Sequence, residues 1–490
     1  MDILFVATEL APMVKVGGLA DVVTALSKAL RLLGHKVTIA LPRFPAIEAG
    51  GLLLARRLTP LVVHSGPNDE AVSATVLDGR LGSGVDLLLL DVPGLYDRPH
   101  VYGEHGRDFV DNARRFGVFC RAVTELCVQR EQAGTPFDIV HLHDWPTAMV
   151  AYLLRHRATE VPRTRTVLTI HNLAHQGVFP IDSLAALGLG SEHFNVERLE
   201  FYGMVNFLKG GILAADAVTT VSTTYAQEIM TSERGERLEG VLRGREQPIL
   251  GIVNGIDYAV YNPMTDPALV ARYDAEDLSN KGRCKTSLLQ ELGLELPSER
   301  PLVVAIGRVV AQKGSDILAA ALPKLLKSDI SVVIAGTGDP GLMARLERAL
   351  AKTRERSAYL GAVADVTIHR LLAAADIVVV PSRFEPCGLV QLYAQRYGAI
   401  PVVSRTGGLV DTVIDCDAEL ETGTGFVFDE PTVPSLVGGV QRALAAMSSE
   451  RWGALRHRVM RLDLGWDRPA RRYAHVYRDV LSGERQRGAG

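Results

Sequence analysis

Lys15-Val16-Gly17-Gly18 stands between an apolar strand-like run and a helical pattern, and Gly307-Arg308 to Lys313-Gly314 repeats that placement in the second half of the chain. Glycines let backbone approach a ligand closely, a helix start supplies N–H donors, and Lys15 adds a positive charge, so the first loop suits a phosphate. In the second loop an Arg fork and a Lys point charge can embrace two phosphates from one side. The spacing is neither of the common phosphate-loop fingerprints, and each loop alone also reads as a turn or as surface charge.

A third loop carries an acid. Pro381 to Gly398 reads PSRFEPCGLVQLYAQRYG, behind the apolar run Ile377-Val378-Val379-Val380. Glu385 therefore stands at the mouth of a strand-loop-helix unit, where open α/β sheets bind ligands. A lone glutamate there is more simply an acid complementing the helix dipole. This one has company, because Thr406-Gly407-Gly408 repeats the loop pattern once more.

Histidines offer a competing chemistry. His141 and His143, or His171 and His175, could be taken for metal ligands, but the second spacing needs a helix and His171 follows a β-branched run. A histidine at the carboxyl end of a strand, facing a cleft, is the reading preferred here, with a hydrogen-bonded loop histidine as the alternative. Asp415-Cys416-Asp417 has the pattern of a metal-holding pair but follows a short helix and reads as a solvated loop.

These loops need strands to hold them. Runs at residues 2–7, 35–41, 138–145, 166–170 and 217–222, then at 302–306, 332–335, 377–380 and 400–403, alternate with helical patterns. Two Rossmann-like doubly wound domains, with strand ends facing a central cleft, are the economical α/β architecture. The expected division is 1–246, 247–465, and a 466–490 segment whose helix crosses back to the first domain before a disordered tail. Residues 43–115 are less regular; Tyr96 and His105 are placed there as possible cleft residues.

The 490 residues exceed what one core supports, and a net charge of −3 argues against nucleic acid or an anionic membrane as partner. Five cysteines without a C-x-x-C pair, and a strand starting directly after Met1, point to a reducing, cytoplasmic setting. No apolar run reaches membrane-span length.

Taken in order, the motifs resemble those of the bacterial glycogen synthases and plant starch synthases, retaining glucosyltransferases of the GT-B fold. They are Lys15 to Val22 (KVGGLADV), His141 to Trp145 (HLHDW), Thr169 to Leu173 (TIHNL), Asn254 to Asp257 (NGID), Gln312 to Gly314, Ser382 to Leu389 (SRFEPCGL) and Arg405 to Leu409 (RTGGL). The resemblance implies transfer of glucose from ADP-glucose to the non-reducing end of an α-1,4-glucan, without a metal or other cofactor. It implies that Lys15, Arg308 and Lys313 bind the diphosphate, in loops completed by Gly17, Gly18, Cys387, Gly388, Leu389, Thr406, Gly407 and Gly408. Glu385 would steady the charge developing on the glucosyl unit, His171 would contact the sugar, and Asp21 and Asp144 would lie on the acceptor side.

The chain also departs from the pattern. Val16 replaces a common Thr, His175 a Tyr and Tyr261 a Trp; Val363 stands where some relatives stack an aromatic on adenine, and Tyr393 where wider families carry a second Glu. The alternatives are a related glucosyltransferase using UDP-glucose or another acceptor, an α-glucan phosphorylase or sugar-nucleotide epimerase, and a catalytically silent glucan-binding protein.

Overall fold

The computed structural model describes residues 1–64, 71–104, 106–295 and 299–483, so His105 and the tail beyond Gly483 lie outside the described residues. The chain divides into two compact units, one of Met1–Asn254 together with the segment from Trp466, the other of Gly255–Gly465. Among the described residues no helix is long and apolar enough to cross a membrane.

Unit 1 is built on a ten-stranded sheet. Its parallel part runs, in spatial order, Leu250–Gly251, Ala217–Thr220, Arg165–Ile170, Ile139–His143, Asp2–Val6, Lys36–Pro42 and Asp86–Asp91. The order in which strands are added reverses across the pair Asp2–Val6 and Ile139–His143, which makes their carboxyl ends the topological switch point. These strands are buried on both faces, as continuous β-branched and leucine runs require. The helix Gly18–Leu32 covers the sheet with Leu19, Val22, Val23, Leu26 and Leu30, and its apolar stripe keeps helical spacing.

An antiparallel margin extends this sheet. Ala71–Arg80 pairs with Asp86–Asp91 on one side and with Leu54–Arg56 and Leu61–His64 on the other. Ala71–Arg80 is only partly buried, so it lacks the apolar run that betrays the central strands. Tyr96 is not a cleft residue: it is wholly buried and its hydroxyl donates to the Arg115 carbonyl. The last helix, Asp467–Ser482, buries Tyr473, Val476 and Tyr477 in the core of unit 1.

Unit 2 has six parallel strands in the order Ser357–Tyr359, Ser331–Ala335, Leu302–Ile306, Ile377–Val380, Ile400–Ser404 and Phe426–Phe428. This is the doubly wound order, and its switch point lies between Leu302–Ile306 and Ile377–Val380. The loops that follow those two strands carry Arg308, Lys313 and Glu385.

Candidate active site

In unit 2 the cations and the glutamate meet. Lys313 Nζ donates to both oxygens of Glu385, at 2.7 and 2.6 Å, and Ser382 Oγ donates to Oε2 at 2.9 Å. Glu385 is 5% exposed, and it lies in the loop five residues ahead of the helix Val390–Arg396 rather than in its first turn. Dipole complementation therefore does not account for it. Arg308 is exposed and has no ion-pair partner among the described residues, leaving its fork open to a ligand. Gly307, Arg308, Lys313, Ser382, Glu385 and Gly388 line one pocket at the switch point.

Backbone contacts set this geometry. Arg383 forks onto Asp316 at 2.6 and 2.7 Å and donates from its backbone N–H to the Gln312 carbonyl at 2.8 Å, tying the glutamate loop to the cation loop. Gly314 has φ +69°, and a Cβ there would lie 1.9 Å from the Pro381 carbonyl oxygen, so only glycine lets the two loops touch. On the other side the Gly408 N–H donates to the Glu385 carbonyl at 3.0 Å, and a Cβ on Gly408 would fall 2.3 Å from the Cys387 backbone. Cys387 and Thr406 are buried, Gly388 has φ +74°, Thr406 and Leu389 precede helices, and Gly407 opens one.

In unit 1 the glycine loop is held from below. Glu9, at the carboxyl end of the first strand, accepts the N–H groups of Val16 and Gly17 on Oε2, both at 2.9 Å, and the Tyr102 hydroxyl on Oε1 at 2.9 Å. Two of the N–H donors expected to face an anion, that of Gly17 included, thus point inward to a buried carboxylate. Gly18 is the first residue of its helix, and Lys15 pairs with Asp21 one turn into it, at 3.1 Å. Burial pushes the Glu9 carboxyl above its usual range, opposed by those N–H bonds.

Across the switch point, Asp144 adopts φ +58° at the position just before the helix Trp145–His156, with no side-chain hydrogen bond to that helix end. Its Oδ1 accepts the backbone N–H of His171 at 2.7 Å, so this carboxylate positions the His171 backbone. Burial raises its pKa to about 7, with Glu9 adding to the shift. The His171 ring meets His143 at 3.0 Å between Nε2 and Nδ1. Among the described residues no cluster of three metal-ligating side chains occurs; His141 and His143 are both fully buried.

The same arrangement of chain is found in known proteins. Residues 2–244 match the starch synthase catalytic domain family, and residues 292–454 match glycosyl transferases group 1. Glycogen synthase 2 of Geobacter metallireducens is 41% identical over 490 residues, covering 99% of this chain and all of that protein. The chain belongs to the bacterial glycogen synthase family. A second member, from Anaeromyxobacter sp., is 43% identical over 98% of this chain and its own full length. The catalytic domain of starch synthase IV from Arabidopsis thaliana, solved with ADP and acarbose, superposes with a TM-score of 0.90 at 33% identity over 98% of this chain and 99% of that one. The two units are thus those of a GT-B glycosyltransferase. Sucrose-phosphate synthase from Thermosynechococcus elongatus, at 18% identity and TM-score 0.63, shares the fold.

Membership in the family makes two departures intelligible. Tyr261 and Tyr393 stack with ring centroids 3.7 Å apart and planes 14° from parallel, so the residues replacing a Trp and a Glu fill one another's space in the unit 2 core. The sequence does not announce the role of Glu9, although it stands just past the buried strand Asp2–Val6; nor does it announce the pairing of Arg383 with Asp316, which spans 67 residues.

Proposed function

We propose that this chain is a glycogen synthase that moves glucose from ADP-glucose to the non-reducing end of an α-1,4-glucan, with retention at the anomeric carbon. The observation that carries the reading is the Lys313–Glu385 pair at the unit 2 switch point, with the open Arg308 fork beside it. Arg308 and Lys313 bind the diphosphate and neutralise it as the sugar leaves, the preorganised electrostatic role that a divalent ion fills in other transferases. Lys15 contributes charge to the same group. Glu385 stabilises the positive charge that develops on the glucosyl ring, and the loops of Cys387, Gly388, Leu389, Thr406, Gly407 and Gly408 hold the donor by backbone.

His171 contacts the sugar, Asp21 orients Lys15, and Asp144 holds the His171 backbone next to the acceptor. The ADP carried by the Arabidopsis starch synthase structure supports adenine as the base. The test is transfer of labelled glucose to a glycogen primer from ADP-, UDP- and GDP-glucose in parallel, with EDTA present. Transfer from ADP-glucose is expected. Transfer from UDP-glucose alone would tie Val363 to a changed base preference, and transfer from none would refute the reading.

A further inference from the structure

His141 and His143 alternate along the strand Ile139–His143, so both rings point to one side of the sheet, and both are fully buried. Their rings lie 4.3 Å apart, and that of His143 sits 5.0 Å from Phe5. His141 is satisfied at both nitrogens: Tyr477 Oη lies 2.7 Å from Nδ1 and Thr169 Oγ1 lies 2.6 Å from Nε2. His143 is satisfied at one. Its Nδ1 faces His171 Nε2 at 3.0 Å, while its Nε2 is enclosed with no hydrogen-bond partner among the described residues.

That orphan nitrogen decides the direction of the His143–His171 bond. Burial lowers the pKa of all three rings, His171 to about 3, so each carries one proton. If His171 Nε2 donated, the proton of His143 would sit on the enclosed Nε2 with nothing to accept it. A buried N–H without an acceptor is the costlier defect, whereas an idle lone pair on an enclosed ring nitrogen is tolerated. His143 must therefore keep its proton on Nδ1 and donate it to His171 Nε2. A neutral imidazole that accepts at one nitrogen carries its proton on the other.

We infer that His143 is a positioning residue that locks His171 as the Nδ1–H tautomer, so that His171 offers its ligand a hydrogen-bond donor and not a basic lone pair. Its Nδ1 makes no hydrogen bond to the described residues, which leaves that donor for the ligand. That the ligand is the glucosyl donor rests on the function proposed above. In that setting the donor grips a sugar oxygen, and His171 takes no part as a general base.

The test is 15N NMR of full-length protein labelled at histidine, which distinguishes N–H from bare ring nitrogens directly. Wild type is expected to show His171 protonated at Nδ1. His143→Phe, which keeps a ring and removes the donor, is expected to release that preference and lower kcat about ten- to a hundred-fold, by analogy with groups that orient a metal-bound histidine. His143→Asn, whose amide can donate to His171, is expected to restore the tautomer and most of the rate. A wild-type His171 protonated at Nε2 would overturn the inference without any variant, as would a His143→Phe protein with its tautomer unchanged. A wild type that shows the Nδ1–H form but transfers no glucose upholds the tautomer and sinks the reaction.

Discussion

Lys313 holds both carboxylate oxygens of Glu385 from a loop 72 residues away, at the point in the unit 2 sheet where strand order reverses. One ammonium thus orients the acid and, in the function proposed above, also meets the donor's diphosphate. Lys313→Ala and Glu385→Ala should each lower kcat on the order of 10²–10³-fold, the size of one preorganised contact. Because the two groups touch, the double variant should lose much less than the product of the single losses. Steady-state rates on folded protein check both statements, and a fully multiplicative double variant contradicts the shared role.

Arg383 separates catalysis from stability. Its pair with Asp316 is partly exposed, with side-chain exposures of 37% and 28%, and such pairs contribute ~0–1 kcal/mol. Loss of the fork would let the glutamate loop shift against the cation loop, and a displacement near ~1 Å can cost ~10²-fold in rate. Arg383→Ala is therefore expected to melt within a few degrees of wild type while kcat falls steeply. A Tm drop as large as the activity loss implies would assign Arg383 to folding.

Glycines in the two halves should respond differently to alanine. Gly314→Ala forces a methyl against the Pro381 carbonyl from a positive φ, and a loss of ~1–3 kcal/mol is expected in urea unfolding. Gly17 has φ −153° and nothing within 4 Å of a built Cβ, so Gly17→Ala should leave stability close to wild type. Equal effects at both positions would mean that loop contact is not what Gly314 provides.

The pH dependence of stability carries two opposing signs. Asp144, raised to about 7 by burial, binds its proton more tightly when folded; its contribution is complete below the unfolded value near ~4 and is lost as pH rises to 7. His141, His143 and His171 are lowered by burial, so theirs is complete above the unfolded value near ~6.5 and is lost on acidification. Asp144→Asn should therefore gain stability relative to wild type from pH 5 to pH 7, by up to ~1.4 kcal/mol per pH unit. Urea midpoints over that range measure the slope, and a pH-independent difference contradicts it.

Val363 packs against the unit 2 core and offers no ring. If adenine lies over it, Val363→Tyr should add a stacking contact of ~0.5–1.5 kcal/mol and lower the KM for ADP-glucose several-fold with kcat little changed. A KM that stays put places the base elsewhere.

Much of this site was legible in the residues because its pieces are local. Buried parallel strands write themselves as apolar runs, and a loop at a strand's carboxyl end must face a ligand groove, which is why Arg308, Lys313 and Glu385 could be named. What joins the pieces is not local. Arg383 reaching Asp316 and His143 reaching His171 are contacts between loops or strands adjacent only in the folded sheet, and no periodicity announces them. The strand Ala71–Arg80 was hidden for a related reason: a partly solvated antiparallel margin lacks the hydrophobic run of the centre.

The most direct test of the account follows the product. Purified enzyme is given ADP-glucose and a maltoheptaose tagged at its reducing end, and the new linkages are read by 1H NMR with ADP release counted alongside. Growth at the untagged end, only α-1,4 anomeric signals, and one ADP per glucose are the predicted result. A β-linked product, or growth that runs from glucose 1-phosphate instead of ADP-glucose, would contradict it.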